Sequence, residues 1–192
     1  MGRKICYADP FSSSVRMIFE RTAIEGVWRV SLEMHLDERG YFARSYCAEE
    51  FSRHGLPSVF EQSSLSHNRL KGTLRGMHFQ PEPNAEAKFV RCVRGAIMDV
   101  AVDLREGSPT RTKWVGEILS ADNGIALYVA PGIAHGFQTI QDETTVLYQI
   151  SPAFRPGLGA GVRWNDTAFS IDWPIGDPIL SERDATYPDW RP

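Results

Sequence analysis

The sequence predicts an all-β domain, a sandwich or barrel of short strands with little helix and a loop-rich C-terminal end. Three observations predict it. Between residues 22 and 150, short runs of strand-forming residues recur, each bounded by Gly, Pro, Ser, Asn or Asp. One short segment, residues 48–54, reads as a helix. From Pro152 onward the chain is rich in Pro, Gly and Trp, a composition suited to ordered loops laid over a β core.

Taken in order, residues 1–20 have no clear period and read as an N-terminal arm, either poorly ordered or exchanged with a second subunit. Residues 21–192 read as a single domain without an internal linker or repeat. Residues 26–47 alternate as two strands around the turn Asp37-Glu38-Arg39-Gly40. The helix of residues 48–54 is stopped by Gly55 and Pro57. Residues 73–80 and 88–93 are strands separated by a loop whose Pro81, Pro83 and Asn84 cannot continue a sheet, and they are expected to be neighbours. Residues 96–104, 114–119, 126–130 and 144–150 supply further strands.

Composition narrows the function. A chain of 192 residues with 42% hydrophobic content can bury a sizeable core. A formal charge of −3 argues against nucleic-acid binding. No apolar run reaches the ~20 residues of a membrane span, and the N-terminal stretch lacks a secretory apolar region, so a cytoplasmic location is expected. Cys6, Cys47 and Cys92 have an odd count and no C-x-x-C spacing, and they read as free thiols.

Residues 70–95 hold the densest mixture of chemistry: a base, His78, with the cations Arg75, Lys88 and Arg91 and the sulfur of Cys92. A lone strand histidine is more often structural than catalytic, and arginines more often face solvent. Their convergence here changes that balance. Alternation puts Lys88, Val90 and Cys92 on one strand face and Phe89, Arg91 and Val93 on the other. Arg75 and His78 differ in parity, so both reach one pocket only if Gly76 marks a bulge. A buried imidazole, guanidinium and ammonium would repel one another unless a carboxylate or an anionic ligand joins them.

The segment Pro131-Gly132-Ile133-Ala134-His135-Gly136-Phe137 resembles the second motif of the cupin superfamily, which usually supplies a metal ligand. The partner motif would need a second histidine near His78, and Gly76-Met77-His78-Phe79-Gln80 has none. Two imidazoles alone make a poor divalent-metal site. The resemblance therefore implies a cupin-like double-stranded β-helix, or jelly roll, with short helices, no catalytic metal and no cofactor.

Further pieces agree in order with one family: Asp37 to Phe42, Leu74 to Gln80, Lys88 to Cys92, Asp99 to Arg105, Ser108-Pro109-Thr110, Ala134 to Phe137, Trp164-Asn165-Asp166 and Leu180 to Asp184. Together they resemble the dTDP-4-dehydrorhamnose 3,5-epimerases from about Val27 to Asp184. That resemblance implies a homodimer with exchanged strands, in which the Asp37 to Gly40 region completes the neighbour's pocket. It also implies a substrate, a nucleotide-linked 6-deoxy-4-keto-hexose whose ketone acidifies C3 and C5.

Epimerisation needs a base, a partner for the enolate oxygen and an acid on the opposite face. By the resemblance, His78 is the base, Asp184 orients it, Lys88 holds the charge on O4 and Tyr148 is the acid. Arg39, Phe42, Gln62, Ser64, Arg75, His135, Phe154 and Arg183 are expected to contact the substrate, with Phe154 stacking on the base. Arg44, Gln62-Ser63-Ser64 and the region of Gly159 depart from the family pattern at places concerned with sugar or nucleotide recognition. The reaction could therefore invert C3, C5 or both, or use another nucleotide carrier. A non-catalytic nucleotide-sugar-binding cupin would keep Arg75, Lys88 and Phe154 but would not need His78, Asp184 and Tyr148 together. A metal-dependent oxygenase would need the missing second histidine.

Overall fold

The computed structural model describes residues 15–191. The strands are β1 (Met17–Arg21), β2 (Val27–Leu32), β3 (His35–Asp37), β4 (Gly40–Phe42), β5 (Gln62–Asn68), β6 (Leu74–Phe79), β7 (Ala87–Arg94), β8 (Ala96–Asp103), β9 (Trp114–Ser120), β10 (Ile125–Val129), β11 (Ile133–Thr139), β12 (Thr144–Ser151) and β13 (Ala160–Gly161). Two short helices, α1 (Ala48–Arg53) and α2 (Glu182–Ala185), complete the described elements.

Among the described residues the strands form a six-stranded sheet in the order β1-β2-β10-β7-β12-β5 and a five-stranded sheet in the order β13-β6-β11-β8-β9. The two face each other as a cupin-like jelly roll, and β3 and β4 stand apart as a hairpin. Strand alternation divides the apolar residues into three layers. Val90, Cys92, Leu127 and Val146 from one sheet meet Ile97, Ala101, Ile133 and Phe137 from the other. Outside the larger sheet, Trp28, Phe89 and Tyr128 pack under α1. Outside the smaller sheet, Met77, Val100 and Val102 pack against Val162 and Phe169 of the C-terminal segment. The loop-rich end thus covers a sheet face that would otherwise be exposed apolar surface.

Helix α1 is too short to be stable alone and lacks a side-chain N-cap. Its anchor is Phe51, fully buried and edge-on to Phe89 at 4.9 Å; burying such a ring contributes about 2–3 kcal/mol. Glu50 beside it is also buried, and its carboxylate accepts the backbone N–H of Met17 and the guanidinium of Arg44, each at 2.8 Å. Arg44, expected from the resemblance to bear on sugar recognition, is here paired with the Glu50 carboxylate that also binds β1.

Several expectations need correction. Residues 73–80 and 88–93 are not neighbouring strands: β6 lies in the smaller sheet and β7 in the larger. The proline-containing loop between them carries the chain across the gap between sheets, where a hairpin would have needed a ladder that Pro81 and Pro83 cannot donate to. The arm boundary at residue 20 falls inside β1, which pairs with β2 from Met17 to Arg21, while residues 1–14 lie outside the described residues. Strands β5 and β11 carry weak strand signals, the first from its serines and the second from Gly136. Pairing with flanking strands, β12 for one and β6 and β8 for the other, overrides that propensity.

The bulge at Gly76 is present. His135 of β11 faces His78 and Phe137 faces Arg75, so two steps on β11 span three on β6. The extra residue turns Met77 into the outer layer and brings both Arg75 and His78 inward. Gly76 has φ +145°, and a Cβ there would lie 2.6 Å from Cα of Gly136. Replacement of Gly76 by alanine is expected to destabilise the protein by about 2–4 kcal/mol, from backbone strain and a backbone clash together. Urea unfolding measures this, and a loss below roughly 0.5 kcal/mol would show that β6 and β11 can separate without cost.

Candidate active site

Residues of both sheets line a cavity of about 340 Å³. Strand β6 contributes Arg75 and His78 to its wall, β7 contributes Lys88, β11 His135 and β12 Tyr148. Ser64 of β5 lies beside Tyr148 in register, and Phe154, Arg183 and Asp184 close the rim. Nine of the twelve residues singled out from the sequence therefore meet at one place.

The other three lie elsewhere. The Gln62 side-chain carbonyl accepts the Phe154 N–H at 2.8 Å, so this residue steadies the rim loop from behind. Arg39 and Phe42 sit on the β3–β4 hairpin, away from this cavity, with Arg39 paired to Asp37 at 2.5 Å. Arg91 points to the other face of β7, where burial pulls its guanidinium down to about 10. A larger cleft of about 560 Å³ lies between β1 and α1, but its arginines Arg16, Arg44 and Arg53 are already paired with Glu33, Glu50 and Glu49.

The cavity's charges are paired one by one. His78 Nε2 lies 2.6 Å from Asp184 Oδ1, with the imidazole about one-third exposed and the carboxylate buried. Burial pushes the Asp184 carboxyl up, but the hydrogen bond and charge of His78, the Ser181 hydrogen bond and the Arg183 charge together outweigh this, and the net shift is downward. Asp184 is itself fixed by α2, whose N-cap Ser181 hydroxyl accepts the Asp184 N–H at 3.1 Å. Lys88 Nζ lies 2.9 Å from Glu86 Oε1 and donates to the His78 carbonyl at 3.2 Å. Burial pulls the Lys88 ammonium below its ordinary range, with Glu86 and then Asp99 opposing. His135, well inside β11 and buried, pairs with the fully buried Asp99 at 2.8 Å.

Tyr148 meets His135 edge-on at 5.8 Å. Burial, then the Asp99 carboxylate, hold its phenol well above the ordinary range, with Arg75 opposing. A tyrosine so placed is protonated at neutral pH and can donate a proton. Arg75 donates to Asn68 at 2.7 Å, and Arg183 donates to the Gly159 carbonyl at 3.0 Å, so both guanidinium groups are tethered at the rim.

The sequence reading missed Asp99, Glu86 and Gln80 as members of this network. Asp99 carried a signal: an aspartate of inward parity between Ile97 and Ala101 must find a partner. Glu86 and Gln80 gave none, since both fall in the crossing between sheets and meet only when the strands close. Among the described residues no group of three or more His, Cys, Asp and Glu side chains is gathered as metal ligands would be.

Residues 21–191 match the family described as dTDP-4-dehydrorhamnose 3,5-epimerase. The chain is 44% identical over 162 residues to a dTDP-4-dehydrorhamnose 3-epimerase of Streptomyces niveus, covering 84% of this chain and 78% of that one. It is 41% identical over 174 residues to the dTDP-4-dehydrorhamnose 3,5-epimerase of Salmonella typhimurium, covering 90% and 94%. The crystal structure of the Bacillus anthracis 3,5-epimerase with TDP and PPi bound superposes with a TM-score of 0.88 at 38% identity, covering 91% of this chain and all of that one. A match of this extent, joined to a jelly roll whose cavity holds the paired imidazole, lysine and tyrosine, shows that the chain belongs to the dTDP-4-dehydrorhamnose 3,5-epimerase family.

Proposed function

We propose that His78 and Tyr148 carry the two proton transfers by which this isomerase inverts C3, C5 or both of a nucleotide-linked 4-keto-6-deoxy-hexose, in the biosynthesis of rhamnose-type deoxysugars. One observation carries the reading: the imidazole and the phenol stand on facing sheets, β6 and β12, across a single cavity. Inversion requires a proton to leave one face of the sugar and return to the other, and two facing walls meet that requirement.

With Asp184 on one ring nitrogen, His78 takes the proton at carbon through the other. The electron pair of the broken C–H bond forms the double bond to C4, and the carbonyl pair moves onto O4. Lys88 holds that charge, and a donor of this kind lowers such barriers by ~3 kcal/mol in other enzymes. Tyr148 then gives its proton to the opposite face, the ketone re-forms, and proton exchange with solvent resets the imidazolium and the phenolate. Phe154, exposed at the rim, offers its ring face to a nucleobase, and Arg75 and Arg183 offer cations to a diphosphate. The TDP in the Bacillus anthracis relative supports a thymidine carrier.

The pocket is completed by a second copy of the chain. The β3–β4 hairpin holds Leu36, Tyr41 and Phe42 largely exposed, with Arg39 at its turn, and these residues suit a neighbour's cavity better than their own. A cytoplasmic location accords with the free thiols Cys47 and Cys92.

Incubation with dTDP-4-keto-6-deoxyglucose in deuterated water, with label at C3 and C5 read separately by mass spectrometry, tests the reaction. Label at one or both carbons is expected, and absence of label at both overturns the reading.

His78→Asn is expected to reduce exchange at both carbons by at least about 100-fold with the fold intact. Retention of more than a few per cent would assign the base elsewhere. Tyr148→Phe is expected to separate two rates: exchange with retained configuration survives, because His78 can return a proton to the face it came from, while inverted product falls about 100-fold or more. Equal loss of both would make the phenol a binding or shaping group. In sedimentation at micromolar concentration the protein is expected to be a dimer, and a monomer that still turns over substrate would remove Arg39 from the site.

A further inference from the structure

Among the groups around the cavity, Glu86 has no part in the proton transfers described above, yet it is one of the most thoroughly buried carboxylates near them, with its side chain 2% exposed. Its two oxygens are divided between two partners. Oε1 faces the Lys88 ammonium at 2.9 Å, and Oε2 accepts the amide N–H of Gln80. Gln80, also buried, accepts the Arg155 N–H at 3.2 Å on its own carbonyl. A continuous chain of contacts therefore runs from the rim loop carrying Phe154, through Gln80 and Glu86, to Lys88 and on to the backbone carbonyl of His78.

We propose that Glu86 is a positioning residue that keeps Lys88 charged and fixed in the cavity wall, and that Gln80 braces Glu86 for that task. An ammonium withdrawn from water loses its proton readily unless a carboxylate stands beside it. The other charges facing Lys88 do not substitute. From β8, Asp99 attracts it, but one Asp99 oxygen is taken by His135 of β11 and no direct contact with Nζ is made. From β6, Arg75 adds positive charge and His78 presents only its carbonyl. Tyr148 of β12 is neutral, and Asp184 and Arg183 of α2 are engaged with His78 and with the Gly159 carbonyl. Glu86 alone combines a carboxylate, burial and direct contact with Nζ.

The sign follows. Lys88 works as an ammonium, so activity is present below its midpoint and is lost as pH rises through it. Removing the charge of Glu86 removes the largest influence that raises that midpoint, and the alkaline limb must move to lower pH.

The inference rests on the role of Lys88 as partner of O4, and its test reads the lysine and the reaction separately. The sequence contains four lysines, so carbon-13 labelling of lysine gives few side-chain signals to titrate, and Lys88→Arg identifies the one wanted. In Glu86→Gln, nearly isosteric, the Lys88 midpoint is expected to fall by about one to three pH units. The alkaline limb of kcat should move by the same amount, with KM nearly constant. Glu86→Asp, which keeps the charge with a shorter reach, should give an intermediate midpoint and asks the same question if the glutamine variant does not fold. Gln80→Ala should shift the midpoint in the same direction by less. An unchanged midpoint in both Glu86 variants overturns the proposal. A midpoint that falls while the alkaline limb stays in place upholds the pairing and removes Lys88 from the enolate step.

Discussion

Taking an ammonium or a carboxylate out of water costs several kcal/mol, and the protein recovers this only through close pairing and complete hydrogen bonding. The cavity between the two sheets gathers an imidazole, a lysine, an arginine and a second imidazole beside apolar residues such as Phe79, Ile150 and Ala160, and each is matched. Asp184 takes His78, Glu86 takes Lys88, Asp99 takes His135 and Asn68 takes Arg75. This pairing decides much of the surrounding structure. Helix α2 holds Asp184 in place, the crossing between sheets carries Glu86, and β8 accepts a fully buried aspartate among valines and alanines. An imidazole held by a buried carboxylate and facing a phenol across such a wall has its orientation fixed by that pairing.

The second requirement is geometric. A jelly roll places alternate side chains of each strand inside, so Arg75 and His78, three apart on β6, would point to opposite faces. Gly76 resolves the conflict. By adding one residue to β6 against β11, it sends Met77 into the outer layer and turns His78 to the cavity beside Arg75. The same close approach excludes a side chain at Gly136, where a Cβ would lie 2.6 Å from the Met77 sulfur. The two glycines let the backbones of β6 and β11 come close enough for His78 and His135 to share one register position.

The sequence by itself determined the class of fold and much of the site. Alternation on β7 correctly divided Lys88, Val90 and Cys92 from Phe89 and Arg91, because parity is a property of the extended chain and survives whichever sheet receives the strand. The Gly76 bulge was legible for the same reason: only an extra residue could bring Arg75 and His78 to one face. The family resemblance named His78, Lys88, Tyr148 and Asp184 as one set, and the fold brings them to one cavity although Asp184 lies 106 positions from His78. Only the tertiary structure decided which strands are neighbours. It moved β6 and β7 to opposite sheets, made strands of the weakly patterned β5 and β11, and set the Arg39 hairpin away from its own cavity. It also created the Gln80–Glu86–Lys88 chain and the Asp99–His135 pair. Pairing between strands and between buried charges is non-local, and its energy exists only once water has been excluded from both sides, so no window of sequence carries it.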